Sequence, residues 1–101
     1  MGDKCDSWIF VNTENLSVKF EIMQSGTREQ LHFHSIAQQF FFVLKGNATF
    51  YLGNEKQIIS EQKGLLIYSK IEHYVINEAE EPLEFVVISQ PSTNKDRTTI
   101  S

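Results

Sequence analysis

Apolar residues in this chain recur with a period of two, and no stretch carries a 3.6-residue apolar stripe long enough for a helix. That restricts the fold to strands. Leu16, Val18, Phe20 and Ile22 alternate with Ser17, Lys19 and Glu21, which predicts a strand with its apolar row buried. Within the strand expected over 39–44, Phe40 to Leu44 are apolar at both parities, the pattern of a strand covered on both faces. Turn residues separate the runs: Gln24-Ser25-Gly26-Thr27, Lys45-Gly46-Asn47, and Gln62-Lys63-Gly64 before residues 65–68. Gly53-Asn54 is a two-residue hairpin signal between strands over 48–52 and 55–59. Further strands are expected over 73–76 and 83–89. Seven or eight short strands at this spacing indicate an all-β sandwich or barrel.

At 101 residues the chain has room for one domain, read as 1–101 with a core over about 8–90. The tail 91–101 is polar and aperiodic and is expected to be loosely held. The formal charge of −4 supplies no basic footprint, which argues against a nucleic-acid partner. No apolar run reaches the ~18–20 residues of a membrane span, and the first residues lack the apolar core of a signal peptide. A cytoplasmic protein without a membrane partner is expected. The single cysteine, Cys5, excludes an internal disulfide framework and a CxxC metal knuckle, and reads as an incidental free thiol.

Chemistry therefore rests on few polar groups. The chain has three histidines, His32, His34 and His73. His32 and His34 are two apart, so on a strand they project from one face, about 7 Å apart along the backbone. Phe33 between them points the other way. Two imidazoles so placed can converge on one metal ion, and His73, from a strand distant in sequence, can supply a third ligand. The plainer reading is a set of partly buried, hydrogen-bonded histidines.

The spacing around them separates the two readings. From Gly26 the chain runs five residues to His32-Phe33-His34, four to Gln39 and six to Gly46. This resembles the first cupin motif, G-x5-H-x-H-x3,4-E-x6-G, with every interval kept and glutamine in place of glutamate. His73 and Asn77 keep the H-x3-N interval of the second motif, G-x5-P-x-G-x2-H-x3-N, but its proline falls on Tyr68 and its glycines on Lys70 and Gln62. Gly64 lies two residues late and can serve the turn instead. The resemblance covers residues 16 to 89. It implies a single cupin double-stranded β-helix, a jelly-roll-like barrel of two antiparallel sheets, often dimeric. It also implies one divalent transition metal held by His32, His34 and His73, with Gln39 at the glutamate position. Gln38 is the rival, since the family tolerates three or four residues there. Nitrogen-rich ligation fits Zn, Fe, Mn, Ni, Co or Cu and argues against Ca and Mg.

A glutamine amide is a weaker donor than a carboxylate and leaves the full charge on the metal, which favours anionic or chelating ligands. Arg28 and Glu29 precede the histidine strand and could stand at the barrel mouth, where Arg28 can hold a substrate carboxylate, solvated loop charges being the plainer reading. Tyr68 and Glu72 flank His73 as candidates for proton transfer, with packing the plainer role. Tyr74 should point away from the centre, and residues 78–81 read as a solvated acidic turn. The functional expectation is a small metal-binding protein that binds or acts on a small molecule, as a dioxygenase, lyase or isomerase if an enzyme. The alternatives are a ligand-binding sensor or a metal-free epimerase-like barrel. No catalytic residue is assigned. A homodimer is expected because Phe40, Phe42 and Leu44 face outward if Gln39 faces inward, unless the segment Trp8-Ile9-Phe10 lies across them.

Overall fold

A computed structural model of the chain describes residues 5–93 and 95–100. Its strands are β1 (Cys5–Asn12), β2 (Ser17–Met23), β3 (His32–Phe33), β4 (Gln38–Lys45), β5 (Ala48–Leu52), β6 (Glu55–Ile59), β7 (Gly64–Ile67), β8 (His73–Ile76), β9 (Leu83–Gln90) and β10 (Thr98–Thr99). They make two five-stranded antiparallel sheets, in the orders β1-β2-β9-β4-β7 and β10-β3-β8-β5-β6. From β2 onward the chain passes between the sheets at almost every connection, the β5–β6 hairpin at Gly53-Asn54 being the exception. This back-and-forth winding is the expected double-stranded β-helix. Among the described residues no helix is long and apolar enough to cross a membrane.

Strand parity divides the interior into two halves. On β4, Gln39, Phe41 and Val43 point inward as expected, and on β9 so do Leu83, Phe85, Val87 and Ser89. Phe41 packs against Phe50 and Phe85 with ring centroids 4.9 and 5.8 Å apart, and Met23, Val43, Val75 and Leu83 complete an apolar core. Beyond Phe41 the interior turns polar.

On β2 the expected parity is reversed. Ser17, Lys19, Glu21 and Met23 stand opposite the inward residues Ser89, Val87, Phe85 and Leu83 of β9, so the polar row faces the interior. Val18, Phe20 and Ile22 face outward. Alternation shows that a strand has two unlike faces, and pairing with β9 decides which one looks inward.

The outer face of this sheet is consequently apolar. Val18, Ile88, Phe40 and Leu66 stand in one row across β2, β9, β4 and β7, with Phe20, Val86 and Phe42 in the next. The N-terminal segment does not lie across these rows. As β1 it extends the sheet by pairing with β2, leaving Trp8, Ile9 and Phe10 exposed, with Trp8 and Phe10 ring-packed against Phe20. Gly64 begins β7 and is not the turn glycine. The Phe40 ring lies over it, 2.4 Å from where a Cβ would stand.

The turns keep the expected geometry with altered residues. Gln62 and Lys70, at the two positions where the motif calls for glycine, have φ of 65° and 71°. Their amides are used: Gln62 N–H donates to the Val43 carbonyl at 2.8 Å and Lys70 N–H to that of His34 at 2.6 Å. The second motif's backbone thus survives without its glycines. Asn77 is fully buried and fixes the turn beside it, donating from Nδ2 to the Met23 and Glu81 carbonyls at 3.0 and 2.8 Å.

The C-terminal segment is docked, contrary to the expectation of a loose tail. β10 pairs with β3, and the Asp96 carboxylate accepts hydrogen bonds from the N–H groups of Ser35, Ile36 and Ala37 at 2.8, 2.9 and 2.8 Å. Burial alone would raise the Asp96 pKa, but these three donors outweigh it and hold the carboxyl below its usual range.

A left-handed backbone costs a residue with a Cβ about 1–2 kcal/mol, and glycine's greater unfolded-state freedom returns roughly half of that. Lys70→Gly should therefore stabilise the protein by about 0.5–1 kcal/mol, read as a higher urea midpoint at unchanged slope. A lower midpoint would show that the Lys70 side chain contributes more than its backbone loses.

Candidate metal centre

β3 and β8 bring the histidines together. His32 stands opposite His73 in the antiparallel pair, and His34 lies just past the end of β3 on the same side as His32. The ring centroids are 4.4 Å apart for His32–His73, 5.0 Å for His32–His34 and 5.7 Å for His34–His73. Each ring offers one nitrogen to a common centre, these atoms lying within 4.8 Å of one another. All three are buried.

Hydrogen bonding selects which nitrogen is offered. Nδ1 of His32 faces the Gln30 carbonyl at 2.8 Å, Nδ1 of His73 faces that of Ile71 at 2.8 Å, and Nδ1 of His34 faces that of Asp96. A carbonyl only accepts, so each Nδ1 carries the proton and each Nε2 keeps a lone pair. His34 Nε2 is buried without any hydrogen-bond partner. Three imidazole lone pairs gathered within 4.8 Å, each ring oriented by a backbone carbonyl through its other nitrogen, is the donor chemistry of a divalent transition-metal centre. The residues fit such an ion.

Electrostatics points the same way. Burial lowers the pKa of His32 to about 3 and of His73 to about 4, in each case against the pull of the Nδ1 hydrogen bond. His34 is lowered as well, chiefly by burial, although Asp96 works against it. The rings are thus neutral at physiological pH, the form that ligates metal.

Gln39 projects from β4 towards the same point. Its Nε2 donates to Ser89 Oγ at 3.0 Å, and its Oε1 lies 3.2 Å from His73 Nε2. With the His73 proton on Nδ1, that second contact joins two lone pairs, an arrangement suited to two ligands of one cation. Gln38 does not compete, since it faces the other way and donates to Gln90 Oε1 at 3.1 Å.

The centre opens into a cavity of about 240 Å³ lined by His32, His34, Gln39, Phe41 and Ser89 together with Lys19, Glu21, Glu29, Thr93 and Arg97. Glu29 lines the cavity. Burial first, and the neighbouring Glu21 charge second, raise its pKa to about 7, so this carboxyl can hold or release a proton near neutrality. Arg28 does not line the cavity, because its guanidinium stacks on the outer side of Tyr74, 4.4 Å from the ring centroid. Tyr74 points away from the centre as expected and stacks on Tyr51. Tyr68 and Glu72 are exposed and lie outside the cavity. Within the acidic turn Glu78 is engaged, accepting from Tyr51 Oη at 3.2 Å and pairing with Lys56 at 3.6 Å. Cys5 is a free thiol on β1.

Sequence reasoning missed Lys19, Glu21, Asp96 and Arg97. The first two were hidden by the inverted parity of β2. Asp96 and Arg97 sit in an aperiodic stretch, Asp96 being about sixty residues from the turn it meets and Arg97 lining the cavity.

Comparison with known proteins agrees with this picture. A family model described as "Cupin domain" matches residues 19–89. No curated protein matches the sequence. Among solved structures, a Klebsiella pneumoniae protein with a double-stranded β-helix domain superposes with a TM-score of 0.87 at 19% identity, covering 100% of this chain and 88% of that one. A sugar phosphate isomerase of the cupin superfamily from Silicibacter pomeroyi gives 0.85 at 13% identity, covering 98% and 67%. The DMSP lyase DddQ from Ruegeria pomeroyi gives 0.82 at 16% identity, covering 96% of this chain and 52% of that longer one.

The metal-free protein should lose stability in acid. A histidine whose folded pKa is depressed takes up protons in the unfolded chain first, so its contribution is complete above about pH 6.5 and declines as pH falls towards 4 and then 3. Glu29 has the opposite sign: its contribution is complete below about pH 4.5 and is lost as pH rises through 7. Urea midpoints of the apoprotein should fall between pH 6.5 and 4.5, and His32→Gln should flatten that slope. Equal slopes in the two proteins would contradict a neutral, buried imidazole at position 32.

Proposed function

This chain belongs to the cupin domain family, and on that footing we propose that it holds one divalent transition metal through His32, His34 and His73, with Gln39 as a fourth ligand, and binds a small molecule at that centre. The observation that carries the reading is the gathering of three buried imidazoles with ligand nitrogens within 4.8 Å of one another, His34 Nε2 being buried without a hydrogen-bond partner. Such an ion would supply Lewis acidity at the cavity floor. The chain's own residues shape the cavity around it and place Glu29, with its near-neutral pKa, on the wall. The isomerase and the lyase among the structural neighbours are compatible with a ligand worked on there. A cytoplasmic location is part of the same proposal.

Elemental analysis of protein purified without added metal is the direct test, with about one ion per chain expected. His32→Ala or His73→Ala should abolish it, whereas an ion retained by both variants would sink the reading. Gln39→Glu should tighten binding by roughly tenfold, the scale on which single partners tune a metal. Competitive chelation measures this. Equal affinities would mean that residue 39 does not ligate the metal.

A homodimer belongs to the same proposal. Val18, Phe40, Phe42, Leu66 and Ile88 form an outer face that β1 does not cover, and its exposed members Phe40 and Leu66 each gain up to about 1.5–3 kcal/mol on full burial. A face of this kind closes on its own copy through a two-fold axis. Light scattering should give twice the 11.7 kDa of one chain, reduced by Phe40→Ser with Phe42→Ser. A single-chain mass in the unmodified protein would exclude the dimer.

A further inference from the structure

We propose that the cavity takes a small organic carboxylate, its anionic head held by Arg97 and Lys19 and its oxygen-bearing body turned towards the histidines and Glu29. The inference rests on the reading of this cavity as a small-molecule site.

The charges lining the cavity are unevenly engaged. Among the described residues Arg97 and Lys19 make no hydrogen bond and no ion pair within 4 Å, although both line the cavity. Their charges reach the groups around them. Lys19 and Arg97 both act on Glu21 and Glu29, and Arg97 also acts on all three histidines. The facing carboxylates do not cancel them. Glu29 is partly protonated at neutral pH, through burial first and Glu21 second, and Glu21 itself is raised by burial. Neutral imidazoles add no negative charge. The cavity thus sets two unpaired cationic side chains against Glu21 and a partly neutralised Glu29, and any divalent ion at the histidines would add to the positive side.

Size and shape narrow the ligand. About 240 Å³ holds roughly eight water molecules at ~30 Å³ each, room for an acid of a few carbons. The planar fork of a guanidinium matches a carboxylate with two parallel hydrogen bonds. A phosphate dianion would bring a second negative charge towards Glu21 and Glu29. Arg97 also takes over, from the C-terminal segment, the role the sequence suggested for Arg28, whose guanidinium is committed to Tyr74.

Isothermal titration with glycolate, lactate and pyruvate, against glycolamide and lactamide as neutral isosteres, tests this on the full chain as purified. At least one acid should bind tenfold or more tightly than its amide. Arg97→Gln should remove that preference, Lys19→Gln should reduce it, and Arg97→Lys should restore part of it. Elemental analysis of the same samples should show unchanged metal content in all three variants. No binding by any acid, equal binding of acid and amide, or a preference unchanged in both Arg97→Gln and Lys19→Gln would overturn the proposal. Inorganic phosphate displacing the acid at equal concentration would overturn the assignment to carboxylates. Metal content separates the two readings: acid preference without bound metal defeats the metal centre alone, and bound metal without acid preference defeats this inference alone.

Discussion

The site depends on a single cross-strand pair, His32 opposite His73. β3 is two residues long and meets β8 only there, so its own ladder holds it weakly. Other contacts fix it from both ends. The Glu29 N–H donates to the Val75 carbonyl at 3.0 Å before β3, and the Lys70 N–H donates to His34 after it. The C-terminal segment supplies the rest, through β10, the Ile100 N–H to Leu31 at 2.9 Å, and the Asp96 carboxylate on the turn at 35–37. Asp96 has two functions at once, since its carboxylate sets the turn and its carbonyl sets the tautomer of His34. The orientation of the histidines is therefore a tertiary property, made by residues far from them in sequence.

A barrel this small has one interior, and here it is shared between a core and a cavity. Phe41 marks the division, touching Phe50 and Phe85 on one side and lying 6.4 Å from His73 on the other. Ionised groups are expensive in an apolar interior unless paired or opened to water. Lys19, Glu21 and Glu29 are tolerated because they stand around the cavity and because Glu29 can shed its charge. The same partition explains the outer sheet face. With the inward places of β2 given to polar groups, its apolar residues Val18, Phe20 and Ile22 are displaced outward.

What the sequence revealed followed from intervals, and what it concealed followed from contacts. The histidine spacing carried the family, the two sheets and the convergence of three rings, because on a given barrel a fixed interval returns a residue to a fixed place. β4 was legible at both parities, since its inward and outward residues are both large and apolar. β2 was misread because alternation alone cannot tell an apolar outer row from an apolar inner one. Gln62 and Lys70 looked like departures from the second motif, yet both keep the left-handed backbone that glycine would occupy. There the shape of the turn outlasts the residue that makes it easiest. Asp96 and Arg97 left no local signal, because the N–H groups and the cavity they serve belong to another part of the chain.

The exchange of glutamate for glutamine at position 39 is best understood together with the cavity wall. A carboxylate there would stand against His73 and add negative charge beside Glu21 and Glu29, raising the cost of ionising Glu29 still further. The amide contributes an oxygen without that charge and spends its N–H on Ser89. Negative charge is thereby kept off the histidine centre and placed on Glu21 and Glu29, one of which can be neutralised by a proton. A ligand bringing its own negative charge meets less repulsion at the histidines than it would beside a glutamate, and Glu29 can take up a proton as it enters. A neutral amide at position 39 thus leaves the histidine centre more receptive to an incoming anion than a carboxylate would.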